Sequence, residues 1–147
     1  MNQLEINGPL QDFFQKSTIA LAMSFADADN RLALVNDPFC KLTGYDSSDV
    51  LGKNCRFLQT SPSGKKAPND EARAKIHDFL RADGPATVRT PIVNFKKDGK
   101  PFVNLLFMSK LTGGSGVVRY ILASQFDISR AHPNLLQDYE SELGSAL

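Results

Sequence analysis

Three long β-type segments follow one another in the second half of the chain, separated by very short connections. Residues 86–95, 101–110 and 117–128 are rich in Val, Ile, Leu, Phe and Thr, the residue types that favour strands. Lys97-Asp98-Gly99 joins the first pair of segments, and a glycine-rich stretch over 112–116 joins the second pair. Because connections this short join antiparallel neighbours, the sequence predicts a three-stranded antiparallel meander.

The first half of the chain predicts two more strands and a set of helices. In chain order we expect strands over 19–25 and 31–35 with an acidic turn over 26–30 between them, broken helical structure over 36–59, a loop over 60–68 and a helix over 69–82. Asn69 would cap the last helix. Two strands, a helical block and a meander make an α+β fold, a five-stranded antiparallel sheet with helices packed on one face.

A chain of 147 residues is long enough for one domain with its own core, which we assign to residues 18–129. Short flanking helices are expected within 1–17 and 130–147. Their apolar residues have helical spacing: Leu10, Phe13 and Phe14 in the first helix, Leu136, Tyr139 and Leu143 in the second. Helices this short are unstable alone, so both are predicted to dock on the sheet or on a second subunit.

The composition excludes several classes of function. The formal net charge is only +1, so no basic surface field indicates nucleic-acid binding. No apolar run approaches the roughly 18 residues that a membrane span needs, and the polar start is unlike a signal peptide. Two cysteines are too few for a disulfide framework or a four-cysteine zinc site. We therefore expect a cytoplasmic protein without a bound metal, nucleic acid or membrane.

Residues 52–59 form the most specific motif of the chain, Gly-Lys-Asn-Cys-Arg-Phe-Leu-Gln. The motif resembles the signature G-x-N-C-R-F-L-Q of the LOV (light-oxygen-voltage) family, the flavin-binding blue-light sensors of the PAS superfamily, and matches every fixed position. The resemblance continues downstream in three amide residues, Asn94, Asn104 and Gln125. It implies a PAS fold and a blue-light photoreceptor similar to the short bacterial members of the family, not an enzyme.

The resemblance assigns the chemistry to Cys55. In the family, the light-excited flavin accepts a cysteine sulfur at ring carbon C4a while ring nitrogen N5 gains a proton, and this adduct breaks in the dark. An apolar pocket would keep Cys55 a thiol, because burial disfavours the thiolate. Gln125 would face N5 and turn its amide over when N5 becomes a donor. The change would then pass along the last strand to the flanking helices.

The residues themselves can place two of the amides together. Asn94 and Asn104 lie ten apart across the turn at Asp98-Gly99. A two-residue loop would put them on opposite faces, whereas the three-residue loop Lys97-Asp98-Gly99, with Gly99 left-handed, makes them diagonal neighbours on one face. Amides both donate and accept hydrogen bonds, so this pair suits the polar edge of a flavin ring.

The resemblance also implies contacts for the rest of the flavin. Arg56 would bind the phosphate, Asn54 and Gln59 the ribityl chain, and Ser24 would lie near the dimethylbenzene end. His77 stands where many members have a second phosphate-binding arginine, and Arg73 lies one helical turn earlier. The expected apolar walls are Leu58, Leu80, Leu106, Met108 and Ile121. FMN is the expected cofactor, with FAD, favoured by a long loop over 60–68, and riboflavin as alternatives.

The apolar stripes of the flanking helices predict a homodimer, with the downstream partner left open. Two alternative classes of function remain. A PAS-type ligand-sensing or protein-interaction domain would have no photochemistry and would be colourless when purified. A cysteine-nucleophile enzyme would use Cys55 with His77 or His132, although no triad-like signature surrounds these residues.

Overall fold

The computed structural model of the chain describes residues 8–64, 66–131 and 133. Its strands are β1 (Ala20–Phe25), β2 (Leu32–Val35), β3 (Thr87–Phe95), β4 (Pro101–Thr112) and β5 (Val118–Asp127). Its helices are α1 (Gly8–Lys16), α2 (Asp37–Thr43), α3 (Ser47–Val50) and α4 (Asp70–Leu80), with short 3-10 helices at Cys55–Gln59 and Ser129–Ala131. The C-terminal helix expected around Leu136, Tyr139 and Leu143 lies outside the described residues, as does His132.

The five strands form a single antiparallel sheet in the order β2-β1-β5-β4-β3. Strands β3, β4 and β5 make the predicted meander, and β5 then pairs with β1. Strand β5, the last strand in the described residues, therefore lies at the centre of the sheet, in contact with both halves. This arrangement confirms the predicted α+β fold.

One face of the sheet, called here the inner face, is covered by helices. Alternate residues of a strand point to opposite faces, and Ala20 and Ala22 of β1 point to this one. Phe39 of α2, Val50 of α3 and Leu58 of the first 3-10 helix pack against them and are buried. The broken helical region after β2 thus folds back over the sheet as predicted.

The opposite face, called here the outer face, carries the N-terminal helix. Phe14 of α1 is fully buried there in a cluster with Leu21, Met23 and Tyr120. The neighbouring Phe13 points away and is 56% exposed. One of the two phenylalanines of α1 therefore packs on this chain's own sheet, whereas the other is available for contact with a second surface.

Asn36 ties the start of the chain to the sheet. Its Oδ1 accepts hydrogen bonds from the backbone N–H groups of Leu21 at 2.9 Å and Phe39 at 3.1 Å. Its Nδ2 donates to the carbonyl oxygens of Phe14 at 3.1 Å and Ile19 at 2.8 Å. All four hydrogen-bonding positions of the amide are used, which is what a fully buried amide requires.

The predicted cap at Asn69 was wrong in its details. Asn69 precedes α4, but its side chain makes no hydrogen bond to the helix. Its Oδ1 accepts the N–H of Val93 at 3.0 Å and its Nδ2 donates to the Val93 carbonyl at 2.8 Å. Strand β3 lies at the edge of the sheet, so the backbone N–H and C=O groups on its outer side have no neighbouring strand to bond to. Where these groups are buried they need other partners, and Asn69 supplies them at Val93. Helix α4 also ends at Leu80, because Arg81 is already extended.

Within the described ranges, no helix combines the length and the apolar character that a membrane crossing requires. The same ranges contain no group of three or more His, Cys, Asp or Glu residues that could hold a metal ion.

Candidate functional site

A cavity lies between the inner face of the sheet and the helices that cover it. Its wall is built by four strands, the turn between β1 and β2, the first 3-10 helix and α4. Thirteen of the fifteen residues predicted to contact a flavin lie on this wall: Ser24, Asn54, Cys55, Arg56, Leu58, Gln59, Leu80, Asn94, Asn104, Leu106, Met108, Ile121 and Gln125. Positions that are distant in the sequence are thus brought together around one space.

The hairpin of β3 and β4 places two amides side by side. Ile92 pairs with Asn104 and Asn94 pairs with Phe102, so the two asparagines are diagonal neighbours on the inner face. The loop between the strands has Gly99 at φ +90°, which gives the three-residue geometry that the sequence predicts. Asn104 Nδ2 donates to Asn94 Oδ1 at 2.9 Å, and both residues are buried.

Strand β5 fixes the orientation of this pair and adds a third amide. Asn104 Oδ1 accepts the backbone N–H of Phe126 at 3.1 Å. One residue earlier, Gln125 is buried, and neither its Oε1 nor its Nε2 has a hydrogen-bond partner in the described part of the chain. Gln59 Oε1 lacks a partner there too. A buried polar atom without a partner costs about 1–3 kcal/mol, so these atoms indicate where a ligand would supply hydrogen bonds.

The other end of the cavity is mostly apolar. Ser24 of β1 pairs with Ile121 of β5, four residues along the strand from Gln125. At about 3.3 Å per residue, the two ends of the cavity are about 13 Å apart. Between them, Met108 and Ala123 pair across β4 and β5 and form the apolar wall. The cavity is therefore long, and the three amides that its strands contribute, Asn94, Asn104 and Gln125, are gathered at one end.

Cys55 borders the cavity from the helical side. It is the first residue of the 3-10 helix, which Asn54 caps by accepting the N–H of Arg56 at its Oδ1 at 2.9 Å. Burial raises the pKa of the Cys55 thiol from 9.0 to about 12, because a thiolate would lose its hydration there. Cys55 is therefore a thiol at neutral pH. Cys40 is also a free cysteine, but it lies in α2 and outside the cavity wall.

A basic groove continues from the cavity to the surface. It shares three wall residues with the cavity, Asn54, Arg56 and Gln59, and adds the positive side chains of Lys53, Lys66 and Arg73. Arg73 forms an ion pair with Asp70 at 2.6 Å, so part of its charge is already balanced. A ligand that lies in the cavity and carries an anionic tail would place that tail in this groove.

His77 does not reach either space. It is exposed on α4 and belongs to neither wall, whereas Ile76 and Leu80 line the cavity and Arg73 lines the groove. Successive residues of a helix are rotated by about 100°, so the side chain of His77 leaves the helix in a different direction from that of Ile76. The arrangement gives no support to the phosphate contact expected at His77.

Four wall residues were missed by sequence reasoning: Asn30, Ile76, Ile92 and Ala123. Ile92 and Ala123 could have been found, because each lies two residues before an amide on the same strand face. Ile76 precedes Leu80 by four residues and shares its helix face. Asn30 gave no such signal, because its place on the wall depends on how the turn between β1 and β2 bends toward Cys55.

Comparison with known proteins identifies the family. Residues 20–130 match a family model described as the PAS domain. A blue-light-activated histidine kinase of Brucella anthropi is 36% identical over 101 residues, which are 69% of this chain and 19% of the kinase. This chain therefore spans about a fifth of the length of that relative.

Solved structures of similar fold agree with this assignment. The LOV protein of Rhodobacter sphaeroides is 34% identical, with a TM-score of 0.70 over 81% of this chain and 65% of that protein. A light-oxygen-voltage domain studied with a flavin analogue is 30% identical, with a TM-score of 0.72 over 92% of this chain and 96% of that domain. The likeness thus extends over nearly the whole length of a single domain.

Proposed function

This chain belongs to the PAS domain family and, within it, to the light-oxygen-voltage group, and we propose that it is a blue-light photoreceptor that binds a flavin beside Cys55. One observation carries the proposal. A single cavity is bordered by Cys55, whose thiol has its pKa raised by burial, and by Gln125, a buried amide with two unpartnered polar atoms among the described residues. A core that only had to pack would not keep both features in the same place.

The residues fit an elongated ring system with one polar edge. Asn94, Asn104 and Gln125 offer amide donors and acceptors at one end of the cavity, which suits the carbonyl groups and ring nitrogens of the flavin edge. Ser24 and Ile121 mark the end where the dimethylbenzene ring would lie. The apolar wall between the two ends suits the flat faces of the ring.

When bound, a flavin would supply blue-light absorption and a ring carbon, C4a, that accepts a sulfur atom reversibly. Cys55 would supply that sulfur together with its proton. The raised pKa keeps the proton on the sulfur in the dark, so the residue enters the reaction as a neutral thiol. The 3-10 helix and its Asn54 cap hold the thiol at the cavity, so the sulfur would already be positioned next to the bound ring before the reaction.

Gln125 would carry the change out of the cavity. Unlike the two asparagines, it has no partner among the described residues that fixes which end of its amide faces the ligand. The amide can therefore present its oxygen or its nitrogen as the opposite edge requires. Because β5 pairs with both β1 and β4, a reversal at Gln125 would reach both halves of the sheet and the helices that flank it.

The basic groove supports FMN as the bound form. Riboflavin has no phosphate, so it would leave the positive charges of Arg56 and its neighbours unused. FMN would place one terminal phosphate there, next to Arg56, which is the guanidinium that borders both the groove and the cavity. FAD would extend further, toward Lys53 and Lys66.

We assign sensing to this chain and catalysis to none of its residues.

Phe13, Phe107 and Phe126 are exposed by 56%, 40% and 42%, and this apolar surface supports a homodimer. The identity of the downstream partner is left open. The photochemistry needs Cys55 as a free thiol. We therefore propose a cytoplasmic location, where thiols stay reduced.

The absorption spectrum of the purified protein tests the proposal directly. We expect a yellow protein whose blue absorption band bleaches under blue light and returns in the dark. Mass spectrometry of the released cofactor would identify FMN, FAD or riboflavin. A colourless protein, or a coloured one that blue light leaves unchanged, would contradict the proposal and favour a ligand-sensing domain without photochemistry.

A further inference from the structure

Asn30 has an unusual backbone for a residue on the cavity wall. Among the described residues it is the only non-glycine with positive φ, at 46°. It ends the turn between β1 and β2 and lines the cavity. A left-handed conformation costs an ordinary residue about 1–2 kcal/mol, and Asn tolerates it better than most. Such a conformation persists only where neighbouring groups hold it in place.

Asp27 provides most of what holds this turn. Its Oδ1 accepts the backbone N–H groups of Asp29 at 3.0 Å and Asn30 at 2.7 Å. Its Oδ2 pairs with Arg31 Nη2 at 3.3 Å. Asn30 adds a bond of its own, from Nδ2 to the carbonyl of Phe25 at 3.2 Å. Asp27 itself is not part of the cavity wall.

The turn is also fastened to the segment that carries the reactive cysteine. Asn54 Nδ2 donates to the carbonyl of Asp29 at 2.7 Å, and Asn54 is the residue directly before Cys55. Arg31, just after the turn, pairs with Asn54 in an isolated antiparallel bridge. The turn therefore supplies one residue of the cavity wall, Asn30, and is bonded to the segment that carries Cys55.

We propose that the turn over residues 26–30 is a solvent gate of the cavity, separate from the basic groove that the anionic tail of the ligand would fill, and that Asp27 is the positioning residue that keeps it closed. By closing the gate, Asp27 sets how long the light-induced state of Cys55 lasts. This inference rests on the proposed photochemistry at Cys55, but the gate itself is a property of the fold.

Water matters because the return to the dark state is a proton transfer. The sulfur–carbon bond breaks with its electron pair returning to sulfur, the proton on ring nitrogen N5 moves back to that sulfur, and the N–H electron pair restores the ring double bond. Thiol and oxidised flavin are regenerated, so no oxidant or reductant is consumed. A water molecule admitted through the gate would relay the proton and shorten the lifetime, whereas a closed cavity excludes it.

The test compares Asp27→Ala with wild-type protein in two measurements. The first is the rate at which a small neutral reagent, iodoacetamide, modifies Cys55 in the purified protein kept in the dark, read by mass spectrometry of the Cys55 peptide. The second is the rate at which the blue band returns after illumination. We expect both rates to rise by about tenfold, because the variant loses two backbone hydrogen bonds that close the turn.

Asp98→Ala is the matched control. Asp98 Oδ1 accepts the N–H of Lys100 at 2.9 Å in the loop between β3 and β4, which does not line the cavity. It should leave both rates unchanged. Asp27→Asn keeps an acceptor oxygen for Asp29 and Asn30 and should restore nearly the wild-type rates.

Two results would overturn the gate: an unchanged Cys55 modification rate in Asp27→Ala, or an equal increase in Asp98→Ala, which would indicate general loosening. The modification of Cys40, measured in the same digests, should not respond to Asp27→Ala. Failure of the photochemistry would be recognised separately, since wild-type protein would then not bleach while the modification rates would still report on the turn.

Discussion

Asn104 donates from its Nδ2 to Asn94 Oδ1 at 2.9 Å, while its own Oδ1 accepts the N–H of Phe126. This chain of two hydrogen bonds fixes the direction of both asparagine amides from the backbone of β5. Gln125, the residue before Phe126, is left with two unpartnered amide atoms among the described residues. Of the three amides that the strands contribute to the cavity, two are therefore fixed in orientation and Gln125 is not, which supports Gln125 as the proposed movable element.

Replacing Gln125 by Leu should separate photochemistry from signalling. The variant keeps Cys55 and the bulk of the side chain, so we expect the blue band to bleach and recover. It removes the strand amide whose orientation no described residue fixes, so light-minus-dark differences in hydrogen exchange over residues 118–131 should fall to less than half of the wild-type values.

Ser124→Ala is the control for that experiment, since Ser124 neighbours Gln125 in β5 but points to the outer face. Its exchange differences should equal those of wild type. If Gln125→Leu also kept the full pattern, the signal would have to leave the cavity by another residue.

Cys55→Ala should retain the flavin and lose all reversible bleaching. Cys55 is the cysteine on the cavity wall, and Cys40 in α2 is not. Cys40→Ala should therefore bleach and recover as wild type does. Comparison of absorption spectra before and after blue light decides the matter, and bleaching in Cys55→Ala would refute the assignment of the reactive sulfur.

The pH dependence should report the raised pKa of Cys55. A cysteine with the ordinary value of 9.0 would be about nine-tenths thiolate at pH 10, whereas a pKa of about 12 leaves Cys55 almost entirely a thiol. If the flavin environment keeps this value, the bleaching yield should be constant between pH 7 and pH 10. A yield that falls by half near pH 9 would show that the thiol titrates normally.

The same pKa has a consequence for stability in flavin-free protein. Because the folded pKa is raised, the contribution of the thiol to stability is fully present below the unfolded value of 9.0 and is lost as pH rises toward 12. At pH 10 the loss is about 1.4 kcal/mol. Chemical unfolding of wild type and Cys55→Ala at pH 8 and pH 10 would measure it, since the alanine variant lacks this loss.

Arg56→Ala should distinguish FMN from riboflavin. Removing the guanidinium that borders both cavity and groove should weaken FMN binding by about tenfold and leave riboflavin binding nearly unchanged. His77→Ala serves as the control, because His77 lies on neither wall. Titration calorimetry with both flavins gives the four affinities, and equal losses for FMN and riboflavin would place the phosphate elsewhere.

The proposed homodimer should depend on the outer face. Phe107 and Phe126 are diagonal neighbours there and stay 40% and 42% exposed. We expect Phe107→Ser to raise the dimer dissociation constant by about tenfold or more, as loss of an apolar anchor does. Val117→Ser, at an exposed valine just before β5, is the control. Light scattering across micromolar to millimolar protein, in darkness and light, would reveal a monomer if the prediction fails.

Local patterns in the sequence were enough for much of the fold and the site. The strand segments, the left-handed Gly99 and the shared face of Asn94 and Asn104 follow from residue types and from the two-residue period of strands. The motif around Cys55, with seven of its eight positions fixed in the pattern, singled out a cysteine that lies on the cavity wall.

Features that depend on long-range packing could not be read in this way. Asn69 has the residue type and position of a helix cap, yet its side-chain amide forms hydrogen bonds with the buried edge of β3 instead of with the helix. His77 has the right position in the family's pattern, but the rotation of α4 turns it to solvent. Asn30 enters the cavity wall only because the turn is drawn toward Asn54, twenty-four residues later.

The pairing of Asn69 with β3 restricts how this protein can assemble. Together with Pro91 in the same strand, this pairing prevents a further strand from adding to the β3 edge of the sheet. At the opposite edge, β2 has only four residues and so provides few backbone groups to which another strand could bond. We therefore expect a partner to dock against a face of the domain instead of adding a strand to the sheet. The light signal would then cross the sheet, from Gln125 on the inner face of β5 to the neighbouring side chains of the same strand on the outer face, such as Phe126.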